Sequence, residues 1–114
     1  GFSFTLAREE LDYAFEGARN AWKAAGRTEK PTLITGSWFA LGSNGREQMD
    51  EYLARYLSFL GPSAAGLIPL VRTVDAQGVR DAVARATDAG ADEVVFAPTT
   101  LDPAEIKRLE DLLF

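Results

Sequence analysis

The chain of 114 residues contains no cysteine and no histidine. Without cysteine there is no disulfide and no thiolate metal site. That agrees with a reducing compartment, and the cytoplasm is the expected location, although a disulfide-free secreted protein reads the same way. The missing histidine excludes more. It is the commonest general base and the commonest metal ligand. Ser-His-Asp and Cys-His nucleophile arrangements are ruled out within the chain, as are zinc signatures that need His or Cys. Any chemistry falls to carboxylates, Lys, Tyr or a bound cofactor. Long apolar runs are also lacking. None approaches the roughly 20 residues that span a bilayer, and no basic-then-apolar leader precedes the first helix. Basic residues are in the minority, 12 Lys and Arg against 17 acids, for a net charge of -5. They are scattered, so no basic face is available to neutralise nucleic-acid phosphates.

What is present suits a globular protein. Hydrophobic residues make up 46% and charged residues 25%, the mix of a soluble domain, and the length allows one small core. Gly1 to Leu6 is apolar and reads as a strand or a lead-in to a helix. From Ala7 to Ala25 the helical period is clear, with Leu11, Ala14, Phe15, Ala18 and Trp22 on one stripe. Thr5 is the expected N-cap and Gly26 the left-handed C-cap. Gly17, which costs about 1 kcal/mol relative to Ala inside a helix, suggests a close backbone approach. Thr32 to Leu41 is almost continuously apolar, the mark of a strand covered on both faces in a parallel sheet. Gly36 interrupts it and suggests a bulge or close approach.

Asn44 opens a second helix, and Glu47 completes a capping-box spacing. Met49, Tyr52, Leu53, Tyr56, Leu57 and Leu60 form its apolar stripe, ended by Gly61-Pro62. Ser63 to Arg72 reads as a short helix or irregular packing segment. Thr73 to Asp75 caps a further helix that closes at Gly90, with Val79, Ala82, Val83 and Ala86 inward. Glu93 to Ala97 is a short buried strand. Asp102, Pro103 and Glu105 then start a last helix, Asp102 as cap and Glu105 as the return arm of the box. Its inner face is Ile106, Leu109, Leu112 and Leu113. The predicted class is α/β. Two strands, or three with Gly1 to Leu6, are joined by right-handed crossovers into parallel pairs.

A parallel pair needs both faces and both edges covered. Four or five helices cover faces, but they do not satisfy the outer edges of strands 32–41 and 93–97. Those edges call for further strands, from the same barrel or from another chain. The chain also begins at Gly1 and not Met, which points to sequence upstream. The reading is therefore of residues 1–114 as a single partial domain.

The stretches FEGARNAWKAAGR, TLITGSWFALGSNGREQMDEYLARYLSFLGP and DAGADEVVFAPTTLDPAEIKRLEDLL come in the order seen at the end of luciferase-like monooxygenases, and the chain resembles the C-terminal portion of that family. The resemblance covers nearly its whole length. It implies the closing βα units of a TIM-type (β/α)8 barrel of about 250 residues or more, with 32–41 and 93–97 as the last two strands and the helix from Pro103 closing the barrel. It also implies a flavin mononucleotide (FMN) or deazaflavin cofactor at the C-terminal ends of the strands, and a flavin-dependent oxidoreductase or monooxygenase acting on a small-molecule substrate. Most of that family's cofactor and catalytic residues lie in earlier strands. The expected partner is accordingly the missing N-terminal barrel segment, or a second copy in self-association such as a homodimer. The chain alone is expected to be inactive, and no catalytic residue is assigned to it.

Candidate site residues each have a competing role. Thr99 and Thr100 follow strand 93–97 and could line a cofactor pocket, or could bond locally before the Asp102 helix. Ser37, Trp38 and Phe39 lie in strand 32–41. An aromatic there could sit beside an isoalloxazine ring or simply supply buried area. Tyr52 and Tyr56, one helical turn apart, could form a polar-tipped patch or a core edge. Asp92 and Glu93 stand at the wrong end of their strand for barrel chemistry and read as a solvated turn. Gly42 to Gly45 leads into a helix N-terminus that could favour a phosphate, or Asn44 could be a plain cap. Two rivals stand beside the oxidoreductase reading. One is a non-catalytic interaction or oligomerisation module that binds no cofactor. The other is a flavodoxin-like domain, disfavoured by too few strands.

Overall fold

The computed structural model describes residues 2–4 and 8–114. The fold is α/β, with a parallel sheet of three strands in the order β1-β2-β3. Strand β1 spans Phe2–Phe4, β2 Ile34–Phe39 and β3 Glu93–Pro98. Helix α1 (Arg8–Ala24) connects β1 to β2. Between β2 and β3 run α2 (Gly45–Tyr56), a 3₁₀ segment (Ser58–Ser63), α3 (Ala64–Val71) and α4 (Ala76–Ala89), and α5 (Ala104–Leu113) ends the chain. The expected cap at Thr5 lies outside the described residues.

The β2 stretch extends because it is rich in β-branched and aromatic residues, which fit a pleated surface. Its alternation divides the sheet into two faces. In the register Thr35↔Val94, Ser37↔Phe96 and Phe39↔Pro98, these six residues share the face covered by α1 and α4, where Leu11, Ala82 and Ala86 close over Thr35 and Val94. The other face carries Ile34, Gly36, Trp38, Val95 and Ala97, and Val95 is 44% exposed. The expectation that β3 is buried on both sides is thus corrected: Glu93 and Val95 face open space. Gly36 marks no bulge, since pairing runs through it to both Phe4 and Val95.

The edges also differ from expectation. Both sides of β2 are occupied, by β1 and β3, and past β1 the Ala40 N–H donates to Thr73 O at 3.0 Å. The unpaired edges among the described residues are the outer ones of β1 and β3. The molecule is flat, with extents of 48 × 38 × 21 Å and a radius of gyration of 15.4 Å, against about 13 Å for a compact domain of this length.

Two apolar clusters hold the elements. Leu11, Phe15, Leu33 and Ala89 join α1 to the end of α4. Trp38, Met49, Leu53, Leu57, Ala64 and Val71 join β2 to α2 and α3. Arg72 braces the second cluster, donating from Nε and Nη2 to the Asp50 carboxylate at 2.8–3.0 Å. Gly45 lets α2 start hard against β2, because a Cβ there would stand 2.4 Å from Ala40 O. Gly17, by contrast, has nothing within 4 Å of a would-be Cβ, so the expected close approach is absent.

The helix ends test the cap readings. Asp75 caps α4, its carboxylate accepting from Gly78 N at 2.7 Å, and Gly90 closes that helix at φ 86. Asn44 occupies the cap position of α2 without a side-chain bond, so the expected box with Glu47 does not form. Helix α2 stops at Tyr56, and a 3₁₀ segment carries the chain through Gly61 and Pro62. Asp102 accepts from Ala104 N at 3.0 Å, but Glu105 does not return to complete the box. It is fully buried and accepts from Leu41 N at 2.6 Å, tying α5 to the end of β2. The predicted inner face of α5 is therefore only half realised: Leu109, Leu112 and Leu113 are half-buried, and Ile106 is 50% exposed.

Candidate functional site

In a parallel sheet the C-terminal ends of the strands are where ligands gather. Here those ends are Phe39-Ala40 and Pro98-Thr99. An open pocket of about 520 Å³ lies beside them, lined by Gln48, Glu51, Tyr52, Arg55, Tyr56 and Thr99. Helix α2 supplies most of the wall because positions 48, 51, 52, 55 and 56 recur at three- and four-residue spacing on one face.

An aromatic ladder forms the apolar side. The Trp38 ring meets Tyr56 edge-on, with centroids 5.5 Å apart and planes at 65°. Tyr56 and Tyr52 are stacked, with centroids 6.0 Å apart and planes at 10°. Trp38 itself is buried in the core and reaches the pocket through Tyr56. Tyr52 is half-buried and Tyr56 exposed, so the pair presents a flat, partly wet surface. Such rings offer apolar area with polar tips.

The polar side is a short relay. Gln48 Nε2 donates to Thr99 Oγ1 at 3.1 Å, and the Thr99 hydroxyl donates to Phe39 O at 3.2 Å. Thr99 is buried. Its hydroxyl is thus engaged in joining β2, β3 and α2, and what remains free to a ligand is the Gln48 amide oxygen. Arg55 and Glu51 pair with each other at the exposed rim.

The other candidates lie elsewhere. Thr100 Oγ1 accepts from Asp102 N at 3.3 Å, the local role before α5. Ser37 points to the helix-covered face, where its Oγ lies 3.1 Å from Thr73 Oγ1 and 3.2 Å from Trp38 O. It is not brought to the pocket. Phe39 packs edge-on against Phe96 with centroids 6.2 Å apart. Asp92 sits at the opposite end of the sheet, accepting from Leu33 N at 2.8 Å. Gln48, Glu51 and Arg55 are the wall residues missed in the sequence. Their three- and four-residue spacing with Tyr52 and Tyr56 was the available signal.

Among the described residues no cluster of three acidic side chains is placed to hold a metal, and no helix is long and apolar enough to cross a membrane. Comparison with family models, characterised proteins and solved structures finds no match to this chain.

Proposed function

We propose that this chain is the closing portion of a luciferase-like (β/α)8 barrel and that its pocket is one wall of a flavin or deazaflavin site. The observation that carries the reading is the open face of the sheet. Val95, on the face of the sheet opposite α1 and α4, is 44% exposed, and beside it β3 has a free parallel edge among the described residues. A closed barrel would cover such a face with opposing strands and pair such an edge. The order of sequence patterns points to the same family.

The pocket fits one side of a planar ring and not a whole cofactor. The Tyr52–Tyr56 pair supplies a flat surface and Gln48 an amide for a ring edge. Arg55, already paired with Glu51, is the one cation in the lining and makes a poor phosphate site. A bound flavin or deazaflavin supplies hydride or electron transfer. The role of these residues is to position and shield the ring, while oxidoreductase or monooxygenase chemistry depends on groups contributed by the rest of the barrel, or by a second copy. A small-molecule substrate would share that site.

The test is amide chemical-shift mapping of the chain with FMN and with a deazaflavin. The expected result is weak binding, with shifts gathered at Gln48, Tyr52, Tyr56 and Thr99 and lost in Tyr52→Ala. No shifts at these residues, or shifts spread over the surface, would remove the cofactor reading. The second reading, a non-catalytic assembly module, is favoured by the exposure of Leu101, Ile106 and Phe114. Concentration-dependent dimerisation without any flavin response would select it.

A further inference from the structure

A second cavity, of about 570 Å³, lies at the other end of the sheet, between the end of α1, the 27–33 connector and the start of β3. Its size is that of a small-molecule site. Its walls carry Arg19, Lys23, Arg27 and Lys30. The acids there are Glu29 and Asp92. With Arg19 paired to Glu16 at 3.7 Å, three further cations face two carboxylates in a chain whose net charge is -5. Asp92 is committed to Leu33 N at 2.8 Å, and Glu29 pairs with Arg27 at 3.5 Å. Lys23 and Lys30 have no counter-ion among the described residues.

The cations are held by the fold. Arg19 Nη2 donates to Ala89 O at 3.0 Å, which fixes the guanidinium at the end of α4. Gly26 turns the chain at φ 76 after α1, a left-handed conformation that glycine adopts without strain. That turn folds Arg27 back over the Trp22 ring, 4.3 Å from its centroid. Complementing the helix C-termini accounts for Arg19 and Lys23. It does not account for Arg27 and Lys30, which lie beyond the helix. Beside them Trp22 Nε1 is shielded from solvent and has no acceptor among the described residues. Indole nitrogen can only donate, and buried donors ordinarily find a partner.

We propose that this cavity binds a small multivalent anion, a molecule carrying two or more phosphate or carboxylate groups. Arg27, Lys23 and Lys30 would match its charge, and the Trp22 indole beneath the Arg27 guanidinium would report its arrival. The site lies at the opposite end of the strands from the aromatic pocket and is independent of the flavin reading.

The test is titration of the chain with inorganic pyrophosphate and, separately, with citrate, followed by calorimetry and by the Trp22 indole N–H resonance. Saturable binding is expected at millimolar concentration or below, with a downfield shift of that resonance. Response to pyrophosphate alone identifies a phosphate ligand, and response to citrate alone a carboxylate. The exposed pair Lys23→Gln/Arg27→Gln should weaken binding by about tenfold or more, as loss of charge-assisted bonds does, while leaving the far-ultraviolet spectrum unchanged. Arg80→Gln, on α4 outside the cavity, should leave binding as it was. Silence of the Trp22 resonance with both anions, undiminished binding in the paired variant, or an equal loss in Arg80→Gln would each overturn the proposal.

Discussion

Helices α2 and α5 carry apolar residues at the same helical spacing, yet α2 buries Met49 and Leu53 while α5 buries Glu105 alone. The difference lies in what each has to pack on. Helix α2 is closed in by Trp38, Ala64 and Val71 from β2 and α3. Helix α5 follows β3, and among the described residues Ile106 is left 50% exposed and Leu109, Leu112 and Leu113 half-buried. Periodicity reports that a helix forms and which side is apolar. Whether that side is covered depends on elements elsewhere, and in this chain the covered and uncovered helices stand on one sheet.

Leu53 is among the most deeply buried positions of α2. Leu53→Ala removes a fully buried side chain from the α2 cluster and should cost about 2–5 kcal/mol, read as a lower urea midpoint. Leu109→Ala, at the half-buried centre of α5, should cost less than half as much. Equal losses would mean that α5 is anchored as firmly as α2, and that the flat, open architecture is wrong.

Next comes the tether. Glu105 is the one attachment of α5 that reaches fully into the interior. Glu105→Ala leaves the Leu41 N–H without its acceptor, a loss of about 1–3 kcal/mol for a buried group. Glu105→Gln keeps an acceptor and should fall between that variant and the parent. Amide exchange at Leu41 gives the direct reading: fast in the alanine variant, slow in the glutamine one. Unchanged protection in Glu105→Ala would show that the bond does not hold the loop.

The caps offer a smaller contrast. Asp75→Ala removes a bond to Gly78 N and should cost about 1 kcal/mol. Asn44→Ala removes none and should stay within about 0.5 kcal/mol. Thermal denaturation of the two variants separates them, and a reversed order would return the capping role to Asn44.

These contrasts show which parts of the fold the sequence made readable. The strands, the parallel pairing, the C-terminal end of α1 and both ends of α4 followed from local chemistry: Asp75 before an apolar period, Gly26 and Gly90 after one. The roles that were misread depend on distant residues. Glu105 has the right spacing to return to Asp102, but its carboxylate turns into the interior and takes Leu41 N. Ser37 lies in the expected strand, yet alternation sends it toward Thr73. Thr99 is at the expected strand end, but its hydroxyl is taken by Phe39 O and Gln48. The aromatic pair was visible as Tyr52 and Tyr56, while its pocket needed Thr99 at the end of β3 to arrive beside Gln48 of α2, 51 residues away, which no local pattern encodes.

Ile106 is half exposed on the uncovered side of α5, so Ile106→Ser should change the stability of this chain by no more than about 0.5 kcal/mol. If the chain is the closing part of a barrel, the same substitution acquires a cost once that side is covered, on the order of 1–3 kcal/mol for a buried aliphatic side chain. The measurement is a pair of denaturation curves for the parent and Ile106→Ser, first alone and then with a supplied fragment carrying the preceding βα units. A variant that is silent alone and destabilised in the complex locates the covering surface on α5. A variant silent in both, with the fragment nonetheless bound, places the contact at the β3 edge and the open face around Val95 instead. A variant already destabilised alone would mean that Ile106 is packed within this chain, and the contrast between α2 and α5 would lose its basis.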